Sequence, residues 1–174
     1  MKILVLNGSP RLNGNTAHLI DGFRTGAWEA GHTVLVENVA HMDIKGCMGC
    51  EYCHPAGEIS RPCIYDDDMQ RIYDEILSSD MIVFASPVYY FTLSAQMQAV
   101  IHRTYAIGIP ENIKKTALVL SSEAGYVYGP AIAQYYSAIV EYWKTENKGI
   151  FTAAGEKNKS EEKWDELYKF GKSL

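Results

Sequence analysis

Ile3-Leu4-Val5-Leu6-Asn7-Gly8-Ser9-Pro10-Arg11-Leu12-Asn13-Gly14-Asn15-Thr16 is the stretch that decides the fold. Its first four residues are apolar without alternation, as expected of a strand covered on both faces. Its last residue opens a stripe at helical spacing, Thr16, Leu19, Ile20, Phe23 and Ala27, which Gly31 stops. Between strand and helix lies a polar turn with Gly8 and Gly14. There the backbone can approach an anion closely, and the helix start offers free N–H groups and a partial positive charge. Ser9, Asn13, Asn15 and Thr16 add hydroxyl or amide donors, and Arg11 adds a planar cation. The turn is neither a Walker loop nor a GxGxxG fingerprint. A plain helix cap by Asn15 or Thr16 is the competing reading.

The same alternation continues outward. Thr33 to Val36, Met81 to Ala85, Thr116 to Leu120 and Ile150 to Thr152 read as further strands. Helical stripes run through Met69, Ile72, Tyr73 and Ile76; through Leu93, Met97, Val100 and Ile101; and through Ile132, Tyr135, Ile139 and Trp143. Pro130 suits the first turn of that third stripe, and Ser160 opens a last helix. One aspartate of Asp66-Asp67-Asp68 is expected to cap the helix that begins at Met69. Strands interleaved with helices predict an α/β, three-layer sandwich on a five-stranded parallel sheet in one domain, residues 1–174. Residues 40–66 form a polar insertion loop within it.

After the third strand comes Ser86-Pro87-Val88-Tyr89-Tyr90-Phe91-Thr92. Pro87 stiffens this loop, and Val88, Tyr89, Tyr90 and Phe91 offer the flat apolar surface that a planar heteroaromatic ring needs. Packing under the next helix is the bland alternative. Cys47, Cys50 and Cys53 follow a C-x-x-C-x-x-C spacing, and Cys63 stands nine residues beyond. Clustered thiols of this kind suit a soft metal centre, either an iron–sulfur cluster or zinc, or else serve as small buried residues. The five histidines are scattered, and none has a partner set that marks a catalyst.

The first loop resembles the phosphate loop of the flavodoxin-like NAD(P)H-dependent FMN reductases, and the second resembles the segment of that family that flanks the flavin ring. The cysteine run is similar to that of the iron–sulfur flavoprotein branch, which carries a 4Fe–4S cluster, although the gap before Cys63 is longer here. The resemblance implies a sheet of order 2-1-3-4-5, FMN as cofactor and NAD(P)H as co-substrate. It also implies a third flavin loop containing Ser122 and Gly125, and a homodimer or homotetramer. Electrons would pass from NAD(P)H through FMN to a small-molecule or protein acceptor, with no side chain required as acid or base. The alternatives are an electron carrier without small-molecule turnover and a zinc-bearing binding module.

The net charge of −5 argues against nucleic acid or an anionic membrane as partner. With no run of about eighteen apolar residues and no secretory pattern, the expected location is the cytoplasm.

Overall fold

The computed structural model describes residues 1–174. In chain order its elements are β1 (Lys2–Asn7), α1 (Asn15–Glu29), β2 (Thr33–Glu37), α2 (Met69–Leu77), β3 (Met81–Tyr89), β4 (Thr92–Leu93) and α3 (Ala95–Arg103). These are followed by β5 (Lys115–Ser122), α4 (Gly129–Tyr135), β6 (Glu146–Ala154) and α5 (Glu161–Lys172). The parallel strands run in the order β2-β1-β3-β5-β6, which is the expected 2-1-3-4-5 order once the short β4 is set aside. β4 is an addition to the expected five: two residues fold back antiparallel on β3, pairing Val88 with Leu93 and Tyr89 with Thr92.

The apolar run of β1 divides by the pleat. Ile3 and Val5 join Leu19, Phe23, Leu167 and Phe170 under α1 and α5. Leu4 and Leu6 join Ile72, Met97, Val100 and Tyr135 under α2, α3 and α4. β3 splits the same way, with Val83 on the first face and Phe84 on the second. Both faces are therefore covered, and each such aliphatic side chain contributes on the order of 1.5–3 kcal/mol by leaving water.

The helix ends follow the local chemistry. Ser94 Oγ accepts from Met97 N at the start of α3, and Ser160 Oγ from Lys163 N at the start of α5. Pro130 lies in the first turn of α4, which runs on into a π-helical segment over Tyr136–Glu141. At α2 the residue bonded to the first N–H is Asp67, whose Oδ1 accepts from Met69 N at 3.1 Å. Asp68 instead turns back to accept from Asp43 N at 2.7 Å. No helix is long and apolar enough to cross a membrane.

Candidate functional site: three loops at one sheet edge

The carboxyl ends of β1, β3 and β5 meet where the strand order reverses direction, the usual ligand crevice of an open parallel sheet. A pocket of about 250 Å³ opens there. Ser9, Arg11, Asn15 and Thr16 line it from the first loop, Pro87, Val88 and Tyr89 from the second, and Ser121, Ser122 and Glu123 from the third.

The first loop is fixed by its own polar atoms. Asn7 Oδ1 accepts from Ser9 N at 3.0 Å, and Asn7 Nδ2 donates to Asn38 Oδ1 at 2.9 Å. Ser9 Oγ accepts from Arg11 N at 3.2 Å. Gly8 N donates to Ala85 O at 2.8 Å. A Cβ on Gly8 would stand 2.6 Å from Ser94 Oγ, so only glycine lets the loop lie against the start of α3. α1 begins after Gly14, which has no side chain to cap the helix, and the first turn contains no acidic residue. The positive end of α1 therefore faces the pocket uncompensated. Thr16 Oγ1 and Ser121 Oγ share a hydrogen bond of 2.8 Å, which joins the first loop to the third.

The second loop is a two-residue hairpin whose central residues, Tyr90 and Phe91, have φ of 49° and 71°. Positive φ at both positions matches a hairpin of the primed type, which normally takes Asn-Gly. Aromatic side chains rarely accept that backbone, so the turn is strained. It sets Tyr90 95% exposed, with Phe91 edge-on to it and 6.4 Å from the Tyr126 ring. The third loop is held from behind. Ser122 Oγ donates to Tyr128 Oη at 2.7 Å, and Tyr128 in turn donates to Ala153 O. Asn158 Nδ2 donates to Ser122 O at 2.7 Å.

Eight of the sequence-predicted residues thus meet in one pocket, and four lie apart from it. Asn13 faces a separate polar depression beside α1, its carbonyl accepting from Lys159 Nζ at 3.2 Å. Tyr90 and Phe91 stand beyond the rim because the hairpin turns them outward. Gly125 begins the 3₁₀ turn Gly125–Val127, away from the lining. Ser121 and Glu123 are lining residues the sequence reading did not select. The position of Ser121 at the end of an apolar strand is the signal for it.

The four cysteines are all unpaired: Cys47 and Cys50 exposed, Cys63 half-buried, Cys53 buried. They line one narrow pocket together with Tyr65, Arg103 and Tyr105. Burial pushes the Cys53 thiol up, with the nearby Cys63, Cys47 and Cys50 adding to it. No three His, Cys, Asp or Glu side chains converge closely enough to hold a single metal ion. A polynuclear cluster spreads its metal corners apart, so its thiolates need not meet at a point. In donor chemistry, four thiols are the soft set that an iron–sulfur cluster takes.

Beneath this pocket lies a buried ion pair. The Arg103 and Asp67 side chains are 1% and 0% exposed. Arg103 Nη1 donates to Asp67 Oδ2 at 2.6 Å and Nη2 to Oδ1 at 3.1 Å. Asp67 also accepts from Lys45 N at 3.2 Å. Burial works to raise the Asp67 carboxyl, but the Arg103 hydrogen bonds, with those from Lys45 and Met69, hold it below its ordinary value. Tyr73 Oη donates to Arg103 O at 2.8 Å, and its burial pushes its phenol up to about 12. Sequence reading missed both members of the pair, since an arginine on an apolar helix stripe gives no separate signal. The two sites adjoin: Tyr89 also lines a shallow depression of about 710 Å³ that contains Gly46, the neighbour of Cys47.

The chain is similar to known proteins. The pattern of the NADPH-dependent FMN reductase family matches residues 1–142. An iron-sulfur flavoprotein of Archaeoglobus fulgidus is 30% identical over 144 residues, covering 82% of this chain and 64% of the relative. An iron-sulfur flavoprotein of Methanocaldococcus jannaschii is 31% identical over 107 residues, covering 62% of this chain and 52% of the relative. The chain therefore spans between about half and just under two-thirds of these relatives' length. Among solved structures, an NAD(P)H:quinone oxidoreductase from Methanothermobacter marburgensis superposes with a TM-score of 0.77 at 17% identity, covering 100% of this chain and 96% of the other. That likeness is one of fold.

Proposed function

Because this chain belongs to the NADPH-dependent FMN reductase family, we propose that it is an FMN-dependent oxidoreductase passing electrons from NAD(P)H through bound FMN to a small-molecule or protein acceptor. The observation that carries this reading is the pocket in which three loops from β1, β3 and β5 meet. Bound FMN supplies the capacity to accept an electron pair from a nicotinamide and pass it on. The protein's part is binding, orientation and electrostatics. Ser9, Asn15 and Thr16, with the start of α1 and the Arg11 cation, receive the phosphate. Pro87, Val88 and Tyr89 form a firm wall for the ring, and Ser122 is fixed by Tyr128 and Asn158 to meet its polar edge. Tyr90 and Phe91 form an aromatic rim outside the pocket, suited to the nicotinamide, to the acceptor or to the facing subunit of a homodimer or homotetramer. The cytoplasm is the proposed location.

The cysteine pocket favours a second component. Cys47, Cys50, Cys53 and Cys63 would hold a 4Fe–4S cluster that supplies one-electron transfer, which makes a protein acceptor or an electron-carrier role the alternative to small-molecule turnover.

Anaerobic reconstitution with FMN, iron and sulfide, followed by visible spectroscopy and metal and sulfide assay, tests both components. The expected product is a yellow-brown protein whose flavin band bleaches on addition of NADH or NADPH and returns with an acceptor. Reconstituted protein that binds no flavin overturns the reading. Flavin that bleaches with dithionite but with neither nicotinamide nucleotide favours the carrier.

A further inference from the structure

A guanidinium has five N–H bonds, and burial obliges each to find an acceptor. Around Arg103 both terminal nitrogens have acceptors: Nη1 donates to Asp67 Oδ2 and to Lys45 O at 2.9 Å, and Nη2 donates to Asp67 Oδ1. The Tyr65 ring lies 4.9 Å from Arg103 Cζ and covers the plane. Nε remains: it is buried and has no acceptor among the protein's own groups. Leaving a charged donor unpaired in the interior is costly, so such a group points to something that completes it. The pocket Arg103 lines contains all four cysteines, and apart from Glu51 the rest of its wall is apolar or aromatic or glycine.

We propose that Arg103 is a positioning residue of the cysteine site, its Nε–H kept for a sulfur of the anionic centre that Cys47, Cys50, Cys53 and Cys63 hold. This rests on the reading of those cysteines as cluster ligands. Asp67 fixes the guanidinium in place and tempers its charge, while the buried Nε–H bonds a sulfur that water does not reach freely. One electron added to the centre increases its negative charge by one. A fixed donor and cation at the sulfur favour that reduced state, and the neighbouring carboxylate opposes it.

The test compares the full chain, its Arg103→Lys variant and its Asp67→Asn variant, each reconstituted anaerobically with ferrous iron and sulfide. Each is then titrated with dithionite and followed by visible and electron paramagnetic resonance spectra. Arg103→Lys keeps a cation for Asp67 but loses the Nε–H. Its midpoint is expected to fall by about tenfold in the reduction equilibrium, which is 59 mV for one electron. Asp67→Asn leaves the guanidinium uncompensated, and its midpoint is expected to rise. These opposite signs would not follow from loosened packing alone. Equal midpoints in all three proteins, each with full iron and sulfide, overturn the role of Arg103 and leave the cluster standing. A wild-type protein that takes up no iron and sulfide overturns both. Should the variants fail to fold, nitrogen-15 arginine labelling is done with Arg61, which stands two residues before Cys63, changed to lysine so that it cannot contribute; the protein should show a nitrogen coupling to the reduced centre, and absence of that coupling overturns the proposal.

Discussion

Thr16 and Ser121 lie 105 positions apart in the chain, yet their hydroxyl oxygens are 2.8 Å apart across the floor of the three-loop pocket. This bond ties the first turn of α1 to the end of β5, so the first loop and the third are positioned as one unit. Both residues line the pocket, and each hydroxyl keeps capacity for further partners. The double variant Ser9→Ala/Thr16→Ala removes two such groups. FMN affinity should fall ten- to a hundredfold, about 1–3 kcal/mol, as read by quenching of flavin fluorescence. Thr16→Ser, which retains the hydroxyl, should stay close to wild type.

The Asp67–Arg103 pair should govern acid stability near α2. The native Asp67 carboxyl titrates below its unfolded value. Its stabilising contribution is therefore fully present above the unfolded carboxylate value of about 3.9 and is lost as pH falls through the lower, folded value. Urea midpoints measured down the acid limb should decline less steeply in Asp67→Asn than in wild type. At neutral pH Asp67→Ala should cost about 3–5 kcal/mol, because it strands a buried guanidinium. Replacing both partners, as Asp67→Leu with Arg103→Met, should cost less than that single change.

The strand order came from the family resemblance, whereas the alternation of strands and helices was legible because the central strand runs are apolar without alternation and helix stripes carry stops or caps, as with Gly31 and Ser160. The first loop was legible for the same reason, since Gly8 and Gly14 frame a polar turn at a known strand end. Less of the second loop could be read. Composition made Tyr90 and Phe91 equivalent to Tyr89, and only the backbone at φ of 49° and 71° reveals that the hairpin turns them away. One aspartate of the triplet was expected to cap α2, and Asp67 accepts from Met69 N there, but its ion pair reaches 36 residues along the chain to Arg103, beyond any local pattern. Four cysteines in one segment announced a site, whereas the buried arginine beneath them did not.

Exposure orders the thiols. In protein prepared without iron, iodoacetamide should label Cys47 and Cys50 first, Cys63 more slowly and Cys53 last. Burial both shields Cys53 and raises its thiol, which lowers the fraction of reactive thiolate. Peptide mass spectrometry over a time course reads the order. After iron and sulfide reconstitution all four should be protected together, because the ligands of one cluster are released together. Protection of Cys47 and Cys50 alone would restrict the site to the exposed arm.

The packing of α1 on α5 gives the last prediction. Gly26 on α1 faces the backbone of α5 so closely that an added Cβ would run into Tyr168 O, and one on Gly171 would run into Phe23 O. The obstacle in each case is main chain, which cannot swing aside as a side-chain tip can. Gly26→Ala must therefore push the two helices apart and loosen Phe23 and Phe170, whose rings sit 5.4 Å apart in the same layer. Overpacking of this kind costs about 1–3 kcal/mol, which in a chain of this size lowers the melting temperature by roughly 2–4 °C per kcal/mol. Gly31→Ala is the matched control. There an added Cβ meets nothing within 4 Å, and the only cost is the left-handed backbone at φ of 84°, on the order of 1–2 kcal/mol. The distinguishing readout is structural: only Gly26→Ala should change the near-ultraviolet signal of Trp164, which stacks on Tyr168 at 5.4 Å between ring centres. If both variants lose stability alike and that signal stays constant, the helices have room that this packing denies.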